Sequence, residues 1–447
     1  MPSRVCVLDL PGMSRELLQN VPSQSSLGKW LAKQNIVGLT PSWPAVTCSV
    51  QATLTTGVEP SQHGIIANGL PTFRFPQDQA LVDSSNFETY RKQISFWEQS
   101  NQFVEAPRFW QNANGNSKFK TALLFFQNSM PGFAGTQKPA ADIVLTPKPD
   151  HGPDGKLVSL CWSQPTDLVP KLFKEFGPFP LMNYWGPMAG IPSTQWISKA
   201  AAWVWQHQQP QLQLVYIPHL DYDLQRFGPA SPQAIKAVQD VSAALDPLID
   251  AVLADGGKLV LLSEYAIAAV NRSVQPNRLL AEAGLLVTRP TDDGNLIDYQ
   301  RSAAFAMVDH QIAHVYLHDI QAKSRVLAVL NPIARIRSDG DTPTHRRCGD
   351  ILLEAFPDCW FDYRWWSDPK AAPSFATTVD IHRKPGYDPL ELFFDPIARQ
   401  ITQNASLIRG SHGSPHKAES IFASQIQPNG DISATQVAGL LTQLLQS

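Results

Sequence analysis

PSWPAVTCSVQATLTTG at Pro41–Gly57, followed by EPSQHGIIANG at Glu59–Gly69, joins a proline-rich turn to a helix-compatible run, with Thr47 at the junction. A second tight turn follows, and a side-chain amide, Asn68, stands 21 residues after Thr47. Upstream, the strand-like run Val5–Leu8 leads into a carboxylate, Asp9. A carboxylate at a strand end, a hydroxyl at a helix start and an amide donor together suit attack on a phosphorus or sulfur centre. The carboxylate can hold a metal, the metal can lower the hydroxyl pKa, and the amide can steady charge on non-bridging oxygens. Taken singly, Thr47 and Asn68 would read as a helix cap and a turn residue.

Outward from this stretch, short apolar runs recur at Val5–Leu8, Thr121–Phe126, Asp142–Leu145, Leu212–Ile217 and Lys258–Leu262. Helix-compatible stretches lie between them at Glu16–Gln34, Ser193–Gln208 and Pro232–Leu253. In the last, Ile235, Val238, Val241, Leu245, Leu248 and Ile249 recur at near-helical spacing and predict one buried face. Strands alternating with amphipathic helices predict an α/β fold, a mainly parallel sheet covered on both sides. Chemistry in such sheets sits beyond the carboxyl ends of the strands. Asp9, Asp221 and Glu264 all lie at or just past such an end, which is reason to bring them together. The Pro-, Trp- and Asp-rich character of 266–379 predicts an inserted cap subdomain between a catalytic core at 1–265 and its return at 380–447.

The chain of 447 residues is 43% hydrophobic, enough for a sizeable core. Its net charge of −3 comes without a basic block, which argues against a nucleic-acid polymer as partner. A small anionic substrate stays open, because local metals outweigh global charge. The sequence contains no apolar run long enough for a membrane span. The first residues enter a strand-like segment without a signal-peptide layout, and the scattered Cys6, Cys48, Cys161, Cys348 and Cys359 form no disulfide or zinc-thiolate pattern. A reducing cytoplasm is the expected location.

The early Asp9, the Pro44-Ala45-Val46-Thr47 segment, the Thr56–Ile65 run with its His63-Gly64 and the closing Asn68 resemble the nucleotide pyrophosphatase/phosphodiesterase branch of the alkaline phosphatase superfamily. The resemblance implies that Asp9 and Thr47 touch one metal, that Thr47 attacks phosphorus, and that Asn68 contacts a phosphoryl oxygen. It also implies an alkaline-phosphatase-like sheet and divalent metal ions, two of them, as cofactors. Many such relatives are exported, which departs from the cytoplasmic expectation. Further along, Asp221 and Gly228-Pro229 match, but Gln225 stands where the family has His. Glu264 and Tyr265 stand for an expected Asp-His, and the Gly410–Gly413 element supplies a late His412. The implied metal ligands are therefore Asp9, Thr47, Asp221, Glu264 and His412. Loss of two imidazoles shifts the donor set toward oxygen, favouring magnesium, manganese or calcium over zinc, or leaving one position empty.

Substitutes for the missing imidazoles are available. On an extended segment His219, Asp221 and Asp223 would share a face. His310 and His314 would align on a helix turn, unless they and Asp309 only hydrogen-bond within the cap. His219 and His382 flank recognised elements and are the leading substitutes, beside Gln225 itself. Arg383-Lys384 reads either as a phosphate contact or as an exposed basic turn, and the Trp360–Trp366 aromatics as cap core or a stacking platform. His63 is expected to pack within its own turn. The resulting expectation is a metal-dependent hydrolase of phosphodiester, pyrophosphate or related phosphorus-ester bonds, acting on a small substrate. A phosphonoacetate-hydrolase-like or monoesterase activity is close behind. The alternative of another class is a non-catalytic superfamily member that binds a ligand or serves as a pathway partner.

Overall fold

The computed structural model describes residues 3–72, 93–112, 118–132, 138–151, 157–337, 344–414 and 419–447. Its frame is a nine-stranded sheet. The strands are β1 (Val5–Asp9), β2 (Asn35–Thr40), β3 (Thr121–Leu124), β4 (Ile143–His151), β5 (Leu157–Gln164), β6 (Leu212–Tyr216) and β7 (Lys258–Leu262). A second, four-stranded antiparallel sheet holds β8 (Ala304–Asp309), β9 (Ile312–Leu317), β10 (Ala334–Arg337) and β11 (Ile351–Ala355), and the chain returns to the first sheet as β12 (Ser420–Ser424) and β13 (Ile432–Ser433). The first sheet runs β13-β2-β12-β7-β1-β6-β3-β4-β5. Within it β5 and β12 run against their neighbours, and the remaining pairs are parallel.

Every residue of β1 is buried, as a strand covered on both faces requires. The strand pairs in parallel with β6 and β7, with Asp9 level with Tyr216 and Leu262. Three carboxyl ends therefore meet at the centre of the sheet, and the segments just beyond them carry Asp9, Asp221 and Glu264. Each fully buried Val or Leu in these strands contributes about 1.5–3 kcal/mol, so this register is strongly held.

The helix Pro232–Ala254 begins where Ser231 Oγ accepts from Ala234 N, with Pro232 in the first turn where its missing N–H costs nothing. It buries Val238, Val241, Leu245, Leu248 and Ile249, whereas Ile235 is exposed. The helix over Ile191–Gln208 also forms. The stretch Glu16–Gln34 is not one helix: it divides into Arg15–Leu18 and Ser26–Leu31, because the intervening Val21-Pro22 cannot continue the first.

The second sheet has an apolar core of its own, including Phe305, Met307, Val315 and Leu353. Phe361, Tyr363, Trp365 and Trp366 are buried in that core and Trp360 in a neighbouring cluster, so this run is packing, not a stacking platform. Asp309 ends β8 and Ile312 starts β9, so the expected helix turn carrying His310 and His314 is instead a hairpin. His314 lies in the strand and bonds the Ile66 carbonyl and the Gly349 N–H. The hairpin tip rests on the late His-Gly element through Gln311 N–H to the His412 carbonyl at 2.8 Å. All five cysteines are buried and free. No helix among the described residues is long and apolar enough to cross a membrane.

Candidate active site

Thr47 opens the helix Thr47–Thr56, which ends at Gly57 in the left-handed conformation that glycine adopts without strain. The residue ahead of that helix is fixed by the distant His412-Gly413 pair. Ala45 N–H bonds the Gly413 carbonyl at 3.0 Å, and His412 Nδ1 donates to the Ala45 carbonyl at 2.8 Å. That bond assigns the proton to Nδ1 and leaves the Nε2 lone pair 3.6 Å from Asp221 Oδ1. Burial and the neighbouring His310 push the His412 pKa well below the usual range, which keeps the ring neutral.

Asn68 does not merely close a turn. Its Oδ1 accepts from Cys48 N–H at 2.9 Å, satisfying one of the open donors of the Thr47 helix. Its backbone N–H and Nδ2 donate to the two oxygens of Asp309 at 2.7 and 3.1 Å. His310 Nδ1 holds the same Asp309 carboxylate at 2.7 Å. An amide carries two N–H donors, so Asn68 keeps one proton for a ligand. His63, as expected, is consumed locally by Ile65 N–H and the Thr53 hydroxyl.

The segment 219–223 is helical, not extended, within His219–Phe227. Residues two apart then face nearly opposite ways, and the partner of Asp221 is Gln225, one turn on. Gln225 Nε2 donates to Asp221 Oδ2 at 2.8 Å, while its Oε1 accepts from the Tyr387 hydroxyl at 2.8 Å. His219 turns to Asp223 instead, at 3.9 Å. His382 is exposed and bonded to the Phe96 carbonyl. Neither of these two histidines joins Asp221 and His412. The basic pair is also spent elsewhere: Arg383 bonds Asp380, and buried Lys384 bonds Asp388 and Glu391.

Tyr265 reaches Thr47 Oγ1 with its hydroxyl at 2.9 Å and lays its ring on His412 at 3.7 Å. Glu264 Oε1 accepts from Gln51 Nε2 at 2.5 Å, and Gln51 Oε1 takes the Gln127 N–H. Sequence reading overlooked Gln51 and Tyr387. Gln51 lies one helical turn after Thr47 on the same face, a spacing visible in the sequence, whereas Tyr387 carries no local signal.

Asp9, Asp221, Glu264 and Asp309 are all buried, and among the described residues the hydrogen bonds to the last three come from side-chain amides, a backbone N–H and an imidazole. Burial pushes Asp9 and Asp221 up to about 7 and Asp309 up to about 6. It raises Glu264 as well, with Asp9 facing it. Both Asp9 oxygens and Glu264 Oε2 are enclosed, and among the described residues no donor makes a well-formed hydrogen bond to them. Two apposed buried carboxyls need a shared proton or a cation between them. Carboxylate oxygens of this kind are the donors that a hard divalent cation takes. Asp221 and His412 provide two further donors and no third. Among the described residues no group of three or more His, Cys, Asp or Glu is arranged to hold a metal.

A family model described as type I phosphodiesterase/nucleotide pyrophosphatase matches residues 5–388. No curated protein sequence matches the chain. Among solved structures, mouse ectonucleotide pyrophosphatase/phosphodiesterase 5 aligns over 99% of this chain and 95% of its own, at 14% identity and a TM-score of 0.58. An inactive variant of that mouse protein has been solved with AMP. Phosphonoacetate hydrolase from Sinorhizobium meliloti 1021, solved with phosphonoformate, aligns over 99% of this chain and 96% of its own, at 14% identity and a TM-score of 0.60. At these identities the likeness establishes the alkaline-phosphatase-like fold.

Proposed function

The chain belongs to the type I phosphodiesterase/nucleotide pyrophosphatase family, and from that membership we propose that it hydrolyses a phosphodiester, pyrophosphate or related phosphorus-ester bond with Thr47 as nucleophile. The observation that carries this reading is the setting of the Thr47 hydroxyl: buried at a helix start, bonded to Tyr265, and beside an Asn68 amide locked by Cys48 and Asp309. Thr47 Oγ1 attacks phosphorus in line, the bond to the leaving oxygen breaks, and a phospho-threonine forms that water then hydrolyses. The Tyr265 hydroxyl fixes Thr47 Oγ1 at 2.9 Å, and Asp221, raised to about 7 by burial, is a carboxyl able to take the Thr47 proton near neutrality. The free Asn68 Nδ2 proton donates to a non-bridging oxygen as its charge grows. Asp9, Glu264 and the Thr47 hydroxyl would hold a divalent cation, which would supply Lewis acidity when bound, and oxygen donors of this kind would favour magnesium or manganese.

Residues 266–379 act as a cap that contributes Asp309 and His310, a reading supported by the separate antiparallel sheet and its own core. The substrate class is a small phosphorus ester, because the retained Asn68 and Thr47 address one phosphoryl group and no basic block is present for a polymer. Turnover of bis-p-nitrophenyl phosphate with added magnesium or manganese tests the proposal. Thr47→Ala is expected to abolish it with the fold intact by circular dichroism, and full activity in that variant would sink the mechanism.

A second reading is favoured by one observation, the closed chain Asp221–Gln225–Tyr387 in place of an Asp–His metal pair. On this reading the site binds a phosphorylated ligand without cleaving it. AMP, which the mouse relative binds, would then give a calorimetric binding signal in a protein that turns over none of the phosphoesters offered.

A further inference from the structure

We infer that this chain's own side chains fill the second position of a two-ion centre, so that the site takes a single divalent cation, at Asp9 and Glu264. The inference deepens the metal dependence proposed above and rests on it for the identity of the cation class. Four rings form a continuous column: Tyr265 on His412 at 3.7 Å and 6°, His412 on His310 at 3.7 Å and 36°, and His310 on Tyr387 at 3.5 Å and 20°. Phenol hydroxyls terminate both ends. The Tyr265 hydroxyl is on Thr47 Oγ1 and the Tyr387 hydroxyl is on Gln225 Oε1.

The column disposes of the donors that a second ion would need. Gln225 has one metal-binding atom, Oε1, and Tyr387 occupies it. The amide is held at both ends, Nε2 on Asp221 Oδ2 at 2.8 Å and Oε1 on the Tyr387 hydroxyl at 2.8 Å. Tyr265 stands where the family resemblance expects a histidine, and a neutral phenol is a poor ligand for a divalent ion. His412 is held between two rings, and its Nδ1 is spent on Ala45. Asp221 Oδ1 and His412 Nε2 remain, buried and without a hydrogen-bond partner among the described residues, but they are one donor pair against the three or four that a closed site uses. At the other position the carboxylate oxygens Asp9 Oδ1, Asp9 Oδ2 and Glu264 Oε2 are fully enclosed and, among the described residues, no donor makes a well-formed hydrogen bond to them, although Asp9 lies in the field of the Glu264 backbone N–H. That is where an ion offsets a buried charge.

Manganese titration of chelator-treated full-length protein, read by electron paramagnetic resonance of the free ion and by elemental analysis after gel filtration, tests this without any turnover. Wild-type protein is expected to bind about one ion per chain, against about two for a complete two-ion centre. Glu264→Gln is expected to weaken that binding at least tenfold, and Asp221→Asn to leave it within about threefold. The double variant Gln225→His with Tyr265→His is expected to gain a second equivalent. Zero or two ions in the wild type overturns the inference, as does loss of the ion in Asp221→Asn, or a folded double variant that gains none. The wild-type count and the Glu264/Asp221 contrast decide the matter even if the double variant does not fold. A single ion in a protein without phosphoesterase activity would leave this inference standing and remove the hydrolase reading.

Discussion

Replacing Asn68 by Ala removes three things at once, and the structure sets the size of each. The Cys48 N–H at the start of the Thr47 helix loses its acceptor at 2.9 Å, a neutral bond worth about 1 kcal/mol, with a further penalty for a buried donor left open. Asp309 Oδ1 loses the amide donor at 3.1 Å, and bonds to charged groups are worth roughly 1.5–3 kcal/mol. The Asn68 backbone N–H still reaches Asp309 Oδ2, and His310 still holds Oδ1, so the carboxylate is not stranded. The summed loss of stability is about 3 kcal/mol, read as a shift in the denaturant midpoint. The catalytic loss is separate: deleting one donor to a developing oxyanion costs on the order of 100- to 1000-fold in kcat. Asp309→Asn keeps the Asn68 side chain but loosens its orientation, so its kcat should fall less than that of Asn68→Ala while its stability falls comparably. A kcat for Asn68→Ala within tenfold of wild type would refute the assignment of its free Nδ2 proton to the phosphoryl oxygen. An unchanged midpoint would refute its place in holding the helix start to the hairpin.

Two further outcomes follow from buried charge. Asp221 titrates near 3.8 in the unfolded chain and is raised to about 7 by burial, so its protonated form is favoured in the fold. Its contribution is full below the unfolded value and is lost as pH rises through about 7, which amounts to roughly 4 kcal/mol in the cation-free protein. Chemical denaturation should therefore show the chelator-treated protein less stable at pH 8 than at pH 5, with Asp221→Asn flattening that slope; greater stability at pH 8 would contradict it. Lys384 is buried against Asp388 and Glu391, at 2.7 and 2.6 Å, and Glu391 also takes the Trp185 indole N–H. Lys384→Met should cost about 3–5 kcal/mol because two buried carboxylates lose their cation; a denaturation midpoint within about 1 kcal/mol of wild type would exclude that role.

Sequence by itself determined the features that depend on neighbours along the chain. The alternation of apolar runs with amphipathic stretches fixed the layered sheet, and strand ends placed Asp9, Asp221 and Glu264 side by side because parallel strands finish at one edge. The turn before Thr47 and the run after it were enough to set the hydroxyl at a helix start. The absence of histidine at Gln225 and Tyr265 was equally plain in the residues themselves. Tertiary structure alone decided what those two residues do instead. Whether position 221 pairs with 219, 223 or 225 depends on whether the segment is strand or helix, and its short polar composition suits either. The hairpin at 309–311 rests on His412, which is more than a hundred residues away in sequence, and Tyr387 and Gln225 are 162 apart. Contacts of that range leave no periodic trace in the chain, since what selects them is the packing of whole sheets against one another. The aromatic column and the spent Lys384 are both products of that packing.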